Sequence, residues 1–129
     1  MSTFLFTIGA YNLVGAIVLA AMLADPVLDL VLRRLTEVAT APVAHGPWSR
    51  LWLGWAAAVN LFLGFVMLRA AAWPAALQRE VTAAALAVYL LMTALLVAGA
   101  RRPGLGRGLW ITLALWLAQL GWGAWALRG

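Results

Sequence analysis

Four long apolar runs, each with a polar residue near its centre, set the pattern of this chain. The clearest is LWLGWAAAVNLFLGFVML, Leu51 to Leu68, eighteen residues without a charge between Arg50 and Arg69. At about 1.5 Å of rise per residue, a helix of this length nearly crosses a hydrocarbon layer of roughly 30 Å. The pattern predicts four transmembrane helices, over residues 4–24, 51–72, 80–100 and 108–127.

The first run has the position of a secretory signal, but its flanks differ from one. Residues Met1 to Thr3 carry no Lys or Arg, and the apolar segment is longer than the hydrophobic region of a signal peptide. We therefore expect a transmembrane helix there.

A different periodicity follows the first run. Pro26 disfavours helix at Asp25 and suits the first turn of a new helix, for which Asp25 is a natural N-cap. Over residues 26–40 an apolar stripe repeats at helical spacing, formed by Val27, Leu28, Val31, Leu35 and Val38. This segment is too short to span a bilayer. It predicts an amphipathic helix that lies at the membrane interface or packs on the end of the bundle.

Composition makes a water-facing surface impossible. Of the 129 residues, 66% are hydrophobic and 10% are charged, whereas about a quarter of the residues in soluble domains are charged. We therefore expect an all-α integral membrane bundle of four transmembrane helices, with one short amphipathic interfacial helix after the first span. The length fits one domain over residues 1–129. The chain has no cysteine, which excludes disulfides and thiol chemistry.

The net charge of +5 comes from arginine, since the chain has no lysine. The arginines flank the apolar runs, where they meet anionic lipid headgroups, so the charge does not indicate a nucleic-acid partner. The first and third connections hold six arginines and the opposite side holds three. This bias predicts that both termini lie outside the cytoplasm. Arginine in place of lysine, with abundant alanine, is typical of GC-rich bacteria, and indicates a bacterial cytoplasmic membrane.

A polar side chain lies near the centre of every run: Asn12, Asn60, Tyr89 and Gln119. If the helices are upright, all four lie within roughly 3 Å of one plane. Small residues share their helix faces, which favours close helix contact in lipid, so we expect all four to point into the bundle. Two interpretations stay open. The four residues hold the helices together by hydrogen bonds, or they bind a cofactor-like lipophilic molecule such as a quinone, a lipid or a pigment.

Asp, Glu, Lys, Arg and His are absent from all four runs, and proton-coupled transport normally requires such a group inside the membrane. Small multidrug exporters use a glutamate in their first span, where this chain has Tyr11 and Asn12. His45, the only histidine, lies in a Pro/Gly turn, so no metal site is predicted. Asp25, Asp29 and Glu37 lie near one interface, where Arg33 and Arg34 compete with any cation. With no nucleophile–base pair and no phosphate loop, no catalytic residue is predicted.

The order of these features resembles one family. A first span that ends in Asp25-Pro26, an amphipathic helix, and a second span that opens with Arg50-Leu51-Trp52-Leu53-Gly54-Trp55 are similar to the small bacterial DoxX-like four-helix membrane proteins. The resemblance covers most of the chain as a layout and implies that fold. That group has no single activity, so the resemblance implies no functional residue.

Two hypotheses about function follow. The leading one is a non-enzymatic accessory or scaffold subunit of a larger membrane complex or homo-oligomer, because a small bundle exposes most of its helix surface to lipids, other subunits or a second copy. The alternative is a binder or converter of a lipophilic small molecule at the polar layer. A channel is disfavoured, since the sequence offers neither a charged ring nor a carbonyl filter.

Overall fold

The computed structural model describes residues 1–35, 46–100 and 107–128. These residues form five α-helices and no strand: α1 (Ser2–Ala21), α2 (Asp25–Leu35), α3 (Pro47–Ala70), α4 (Ala75–Ala100) and α5 (Arg107–Arg128). Four of them contain segments long and apolar enough to cross a membrane: Ser2–Ala21, Pro47–Ala70, Ala75–Ala98 and Trp110–Arg128. The prediction of an all-helical chain with four candidate membrane spans is therefore confirmed.

The ends of the helices differ from the predicted spans for local reasons. Helix α3 begins at Pro47, with Gly46 in extended conformation as its N-cap, because proline needs no hydrogen bond in the first turn. Helix α1 ends at Ala21, and the amides of Leu23 and Ala24 then bond to carbonyls three residues back. This tightened turn ends α1 before residue 24.

Helix α2 begins directly after that turn. The amide of Leu28 bonds to the carbonyl of Ala24 at 3.0 Å, so the helix begins one residue earlier than a cap at Asp25 predicts. Asp25 lies in the first turn, where a negative charge is favoured. Leu28, from the apolar stripe, is buried. Residues 36–40 of the predicted helix lie outside the described residues.

The spanning helices pack mainly as two pairs, α1 with α3 and α4 with α5. The first pair is antiparallel and very close. A Cβ added to Gly64 would lie 2.9 Å from the carbonyl oxygen of Gly9, and a Cβ added to Gly9 would lie 2.9 Å from the backbone nitrogen of Leu68. Only glycine permits this approach of two backbones, which is how helices gain contact energy in lipid.

The apolar core lies toward one end of the bundle. It is formed by the beginning of α1, the end of α3, the first half of α4 and the end of α5, through Phe4, Leu5, Ile8, Met67, Ala70, Ala85, Tyr89 and Ala126. The ring of Phe4 meets that of Trp122 edge-on, with centroids 5.5 Å apart. Trp122 lies near a predicted span end, where a Trp typically anchors at the headgroups, but here it packs against this core. Beyond the core, the helix pairs leave space between them.

A candidate binding cavity between the helix pairs

Asn12 of α1 and Tyr89 of α4 join the two helix pairs. The Asn12 side-chain amide donates to the Tyr89 hydroxyl oxygen at 2.8 Å and to the carbonyl of Ile8 at 2.8 Å. The sulfur of Met67 lies 3.8 Å from the same nitrogen. Asn12 is 3% exposed and Tyr89 is 7% exposed. Both N–H groups of this amide therefore have acceptors inside the protein, so neither needs a water molecule as a partner.

Tyr89 makes contacts through its hydroxyl group, its backbone carbonyl and its ring. Its hydroxyl oxygen accepts the Asn12 N–H, and its backbone carbonyl accepts the hydroxyl of buried Thr93 at 2.7 Å. Its ring meets that of Trp116 on α5 edge-on, with centroids 6.4 Å apart. Because the hydroxyl oxygen accepts this bond, the hydroxyl hydrogen is left to donate to another group.

Asn60 of α3 lies at the same level and is half-buried. Its amide nitrogen donates to the carbonyl of Ala56 at 2.8 Å, which uses one of two N–H groups. Its side-chain oxygen lies 3.3 Å from the position that a Cβ on Gly15 would occupy. The absence of a side chain at Gly15 thus gives the Asn60 amide its place against α1.

These three residues line one cavity of about 260 Å³ between the helix pairs. Helices α1, α3, α4 and α5 all contribute to its wall. The other walls are apolar or glycine, apart from the aromatic and hydroxyl side chains of Tyr11, Thr112 and Trp116. The cavity is partly enclosed. Val59 on α3 and Val88 and Met92 on α4 line it and are 44%, 45% and 42% exposed, and Tyr11 on α1 is 39% exposed, so its mouth, the exposed rim of the cavity, includes the α3–α4 side of the bundle.

Gln119 does not join this group. Its side chain is buried inside the bundle, but it is not among the residues that line the cavity. Its side-chain oxygen is one of the buried atoms in the described part of the chain that have no hydrogen-bond partner. The sequence placed four polar residues in one layer, and the structure brings three of them to one cavity and leaves the fourth apart.

Two of the lining residues could be found from the sequence. Thr112 and Trp116 share the Gln119 face of α5 at helical spacing, and Trp116 lies deeper than an interfacial Trp does. Nothing in the sequence distinguished Tyr11 and Met67 as cavity residues, because each is one apolar or aromatic residue among many in its run. Their contribution depends on how far each helix is rotated, and the pattern of one helix does not determine that.

The charged residues at the beginnings of α2 and α3 contact each other. The Arg50 guanidinium lies 2.6 Å from the Asp25 carboxylate, in an exposed ion pair that links the beginning of α2 to α3. No group of three His, Cys, Asp or Glu side chains suited to a metal occurs in the described ranges. His45 lies outside them.

Comparisons with protein-family models, with curated proteins and with solved structures found no match to this chain.

Proposed function

We propose that this protein binds the polar headgroup of a lipophilic molecule, of the quinone or pigment-carbonyl class, in the cavity between its helix pairs. The observation that supports this most is that Asn60 and Tyr89 border one cavity and each has a hydrogen left to donate. Side chains that only hold helices together would be surrounded by packed atoms. Here, the side chains of Asn60 and Tyr89 border a cavity instead.

The hydrogen-bonding inventory favours an acceptor as the ligand. Tyr89 has its hydroxyl hydrogen left, because its oxygen accepts from Asn12, and Asn60 has its second N–H left, because the first is donated to Ala56. A carbonyl oxygen takes two such donors well. In a medium without water, an unpaired polar group costs several kcal/mol, so a matching oxygen is strongly preferred over a methyl group.

The size of the cavity favours a headgroup over a whole ligand. Cavities that enclose complete drug-sized ligands have volumes of about 300–1,000 Å³, and this one has about 260 Å³. A single ring with its carbonyl groups fits that volume, with the Trp116 ring as one aromatic wall. The apolar remainder of the molecule would stay outside, in the bilayer.

The chemistry of the walls favours binding over conversion. Carboxylate, imidazole, ammonium and guanidinium groups are all absent from the residues that line the cavity. Without them, the described site has no strong acid or base for proton transfer. We therefore propose a non-enzymatic role: to hold, store or present the molecule within the membrane.

Two amide-to-leucine changes test this proposal. Asn60→Leu removes a donor from the cavity wall, and Gln119→Leu makes the same chemical change outside it. A benzoquinone that carries a decyl chain is the probe, and the shift in the thermal unfolding midpoint of the detergent-solubilised protein is the measurement. We expect a shift for wild type and Gln119→Leu and little or none for Asn60→Leu. Equal shifts in all three, or none in wild type, would refute the proposal.

An accessory or scaffold subunit is the second candidate. It is favoured by how little of each span is buried: between 17% and 33% of the residues in the most apolar windows. Most of the helix surface is therefore free to contact lipids, other membrane subunits or a second copy. Mass measurement of the complex extracted in mild detergent tests it. A single chain with no protein partner would count against it.

We also propose a placement in the membrane. Helix α2, with its buried Leu28 and its ion pair to α3, suits an interfacial position parallel to the bilayer. The arginine bias supports both termini outside the cytoplasm of a bacterial inner membrane, and the order of the helices supports a DoxX-like layout. A reporter that works only in the cytoplasm, fused to the C-terminus, should be silent. A strong signal would place the C-terminus in the cytoplasm and contradict the proposed orientation.

A further inference from the structure

A second, larger concavity adjoins the cavity on the outer face of α3. It is a wide and shallow groove of about 530 Å³, lined by Arg50, Leu51, Gly54, Trp55, Ala58, Val59, Phe62 and Leu63. We call it the α3 groove. Apart from Arg50 at one end, its walls are apolar or glycine.

The α3 groove is continuous with the cavity. Val59 and Leu63 line both, and Val59 is one of the exposed residues at the mouth of the cavity. From Val59 the groove extends nine residues along α3 to Arg50, or roughly 14 Å of helix. Arg50 is paired with Asp25 and lies where the predicted span begins. The groove therefore connects a midplane polar site with one membrane face.

We propose that the α3 groove holds the apolar tail of the molecule whose headgroup occupies the cavity. This inference rests on the proposed function, and it adds that the ligand carries one long tail, directed toward the Arg50 face. A headgroup in the cavity must pass its tail through the mouth that Val59 borders. The groove begins at that point and offers an apolar path along the helix.

Gly54 gives the groove its depth. A Cβ at Gly54 would meet no described atom within 4 Å, so packing against the described residues does not explain the glycine. In the middle of a helix, glycine costs about 0.5–1 kcal/mol relative to alanine. Its small size leaves room between Leu51 and Ala58, where a tail would lie against the helix backbone.

Tail length is the property to vary in the test. The probes are two benzoquinones with the same ring, one with a methyl group and one with a decyl chain; the chain has no cysteine for either ring to alkylate. Gly54→Leu fills the groove without touching the cavity. Gly121→Leu, at another glycine with open space on α5, is the matched control. Each variant is compared with wild type for the same probe, which cancels partition into detergent.

We expect Gly54→Leu to weaken binding of the decyl probe about three- to tenfold and to leave the methyl probe unchanged. The loss is modest because lipid around the protein is as apolar as the groove, so only packing is lost. Gly121→Leu should change neither. Ala58→Leu, which fills the groove one turn further, should act like Gly54→Leu and guards against a local fold effect.

Each other outcome overturns a stated claim. If both probes bind wild type and Gly54→Leu affects neither, the groove holds only exchangeable bilayer lipid, and the tail inference is wrong while the proposed function stands. If Gly54→Leu weakens both probes equally, the substitution has altered the cavity, and the assignment of the groove to the tail is again wrong. If wild type binds neither probe, the proposed function itself fails.

Discussion

The side-chain amide of Asn12 donates a hydrogen bond to the hydroxyl oxygen of Tyr89 at 2.8 Å, between residues 77 positions apart in the chain. This bond links the α1–α3 pair to the α4–α5 pair, which otherwise contact each other sparsely. It also fixes the Tyr89 hydroxyl as an acceptor, so that its hydrogen is available at the cavity. One contact thus supports both the fold and the proposed site.

The strength of this contact is measurable by a double-mutant cycle with Asn12→Leu and Tyr89→Phe. Hydrogen bonds between membrane helices contribute about 0.6 kcal/mol on average and up to about 1.7 kcal/mol. Because both partners are buried and Asn12 also bonds to Ile8, we expect a coupling free energy in the upper half of that range. Reversible unfolding in bicelles is the measurement. A coupling energy indistinguishable from zero would mean that the two groups do not stabilise each other.

The close approach of α1 and α3 predicts a steep response at Gly64. Gly64→Val places atoms against the backbone oxygen of Gly9, which cannot move aside as a side chain can. Overpacking of this kind costs about 1–3 kcal/mol. Gly121→Ala, at a glycine with open space, is the control and should be neutral or slightly stabilising because alanine favours helix. Equal unfolding free energies for Gly64→Val and wild type would contradict the described packing.

Gln119 should respond in the opposite way to Asn12. Its buried oxygen has no partner among the described residues, whereas both N–H groups of Asn12 have acceptors. Removal of an unpaired polar atom is close to neutral or stabilising, and removal of a paired one strands its partner. Gln119→Leu should therefore leave the unfolding free energy unchanged or raise it, while Asn12→Leu lowers it. Matching losses in the two variants would show that Gln119 has a partner after all.

The ion pair between Asp25 and Arg50 should add little stability. The two side chains are 55% and 45% exposed, so water and salt screen their attraction. We expect a coupling of about 0.2–1 kcal/mol from a cycle of Asp25→Asn and Arg50→Gln, declining as salt is raised. A larger coupling that does not depend on salt would indicate that the pair is shielded by lipid.

The helices of this protein follow from its apolar runs, and the depth of Asn12, Asn60 and Tyr89 follows from counting residues. The separation of Gln119 from them does not. One residue along a helix is a rotation of about 100°, and the rotation of α5 is set by packing, as where Phe4 and Leu86 meet Gly123. The contact of Gly9 with Gly64 could not be predicted from the sequence either. Both helices contain many small residues, and the packing of α1 against α3 determines which two of them meet.

The central claim is that the cavity beside Asn60 and Tyr89 holds a lipophilic headgroup. Native mass spectrometry of the protein extracted from its own membrane in mild detergent tests it most directly. The claim predicts one additional lipophilic mass per chain in wild type and in Gln119→Leu, and its loss in Asn60→Leu while the circular dichroism of the helices is retained. Wild-type protein without any bound mass, or an Asn60→Leu variant that retains the same mass in the same ratio, would contradict it.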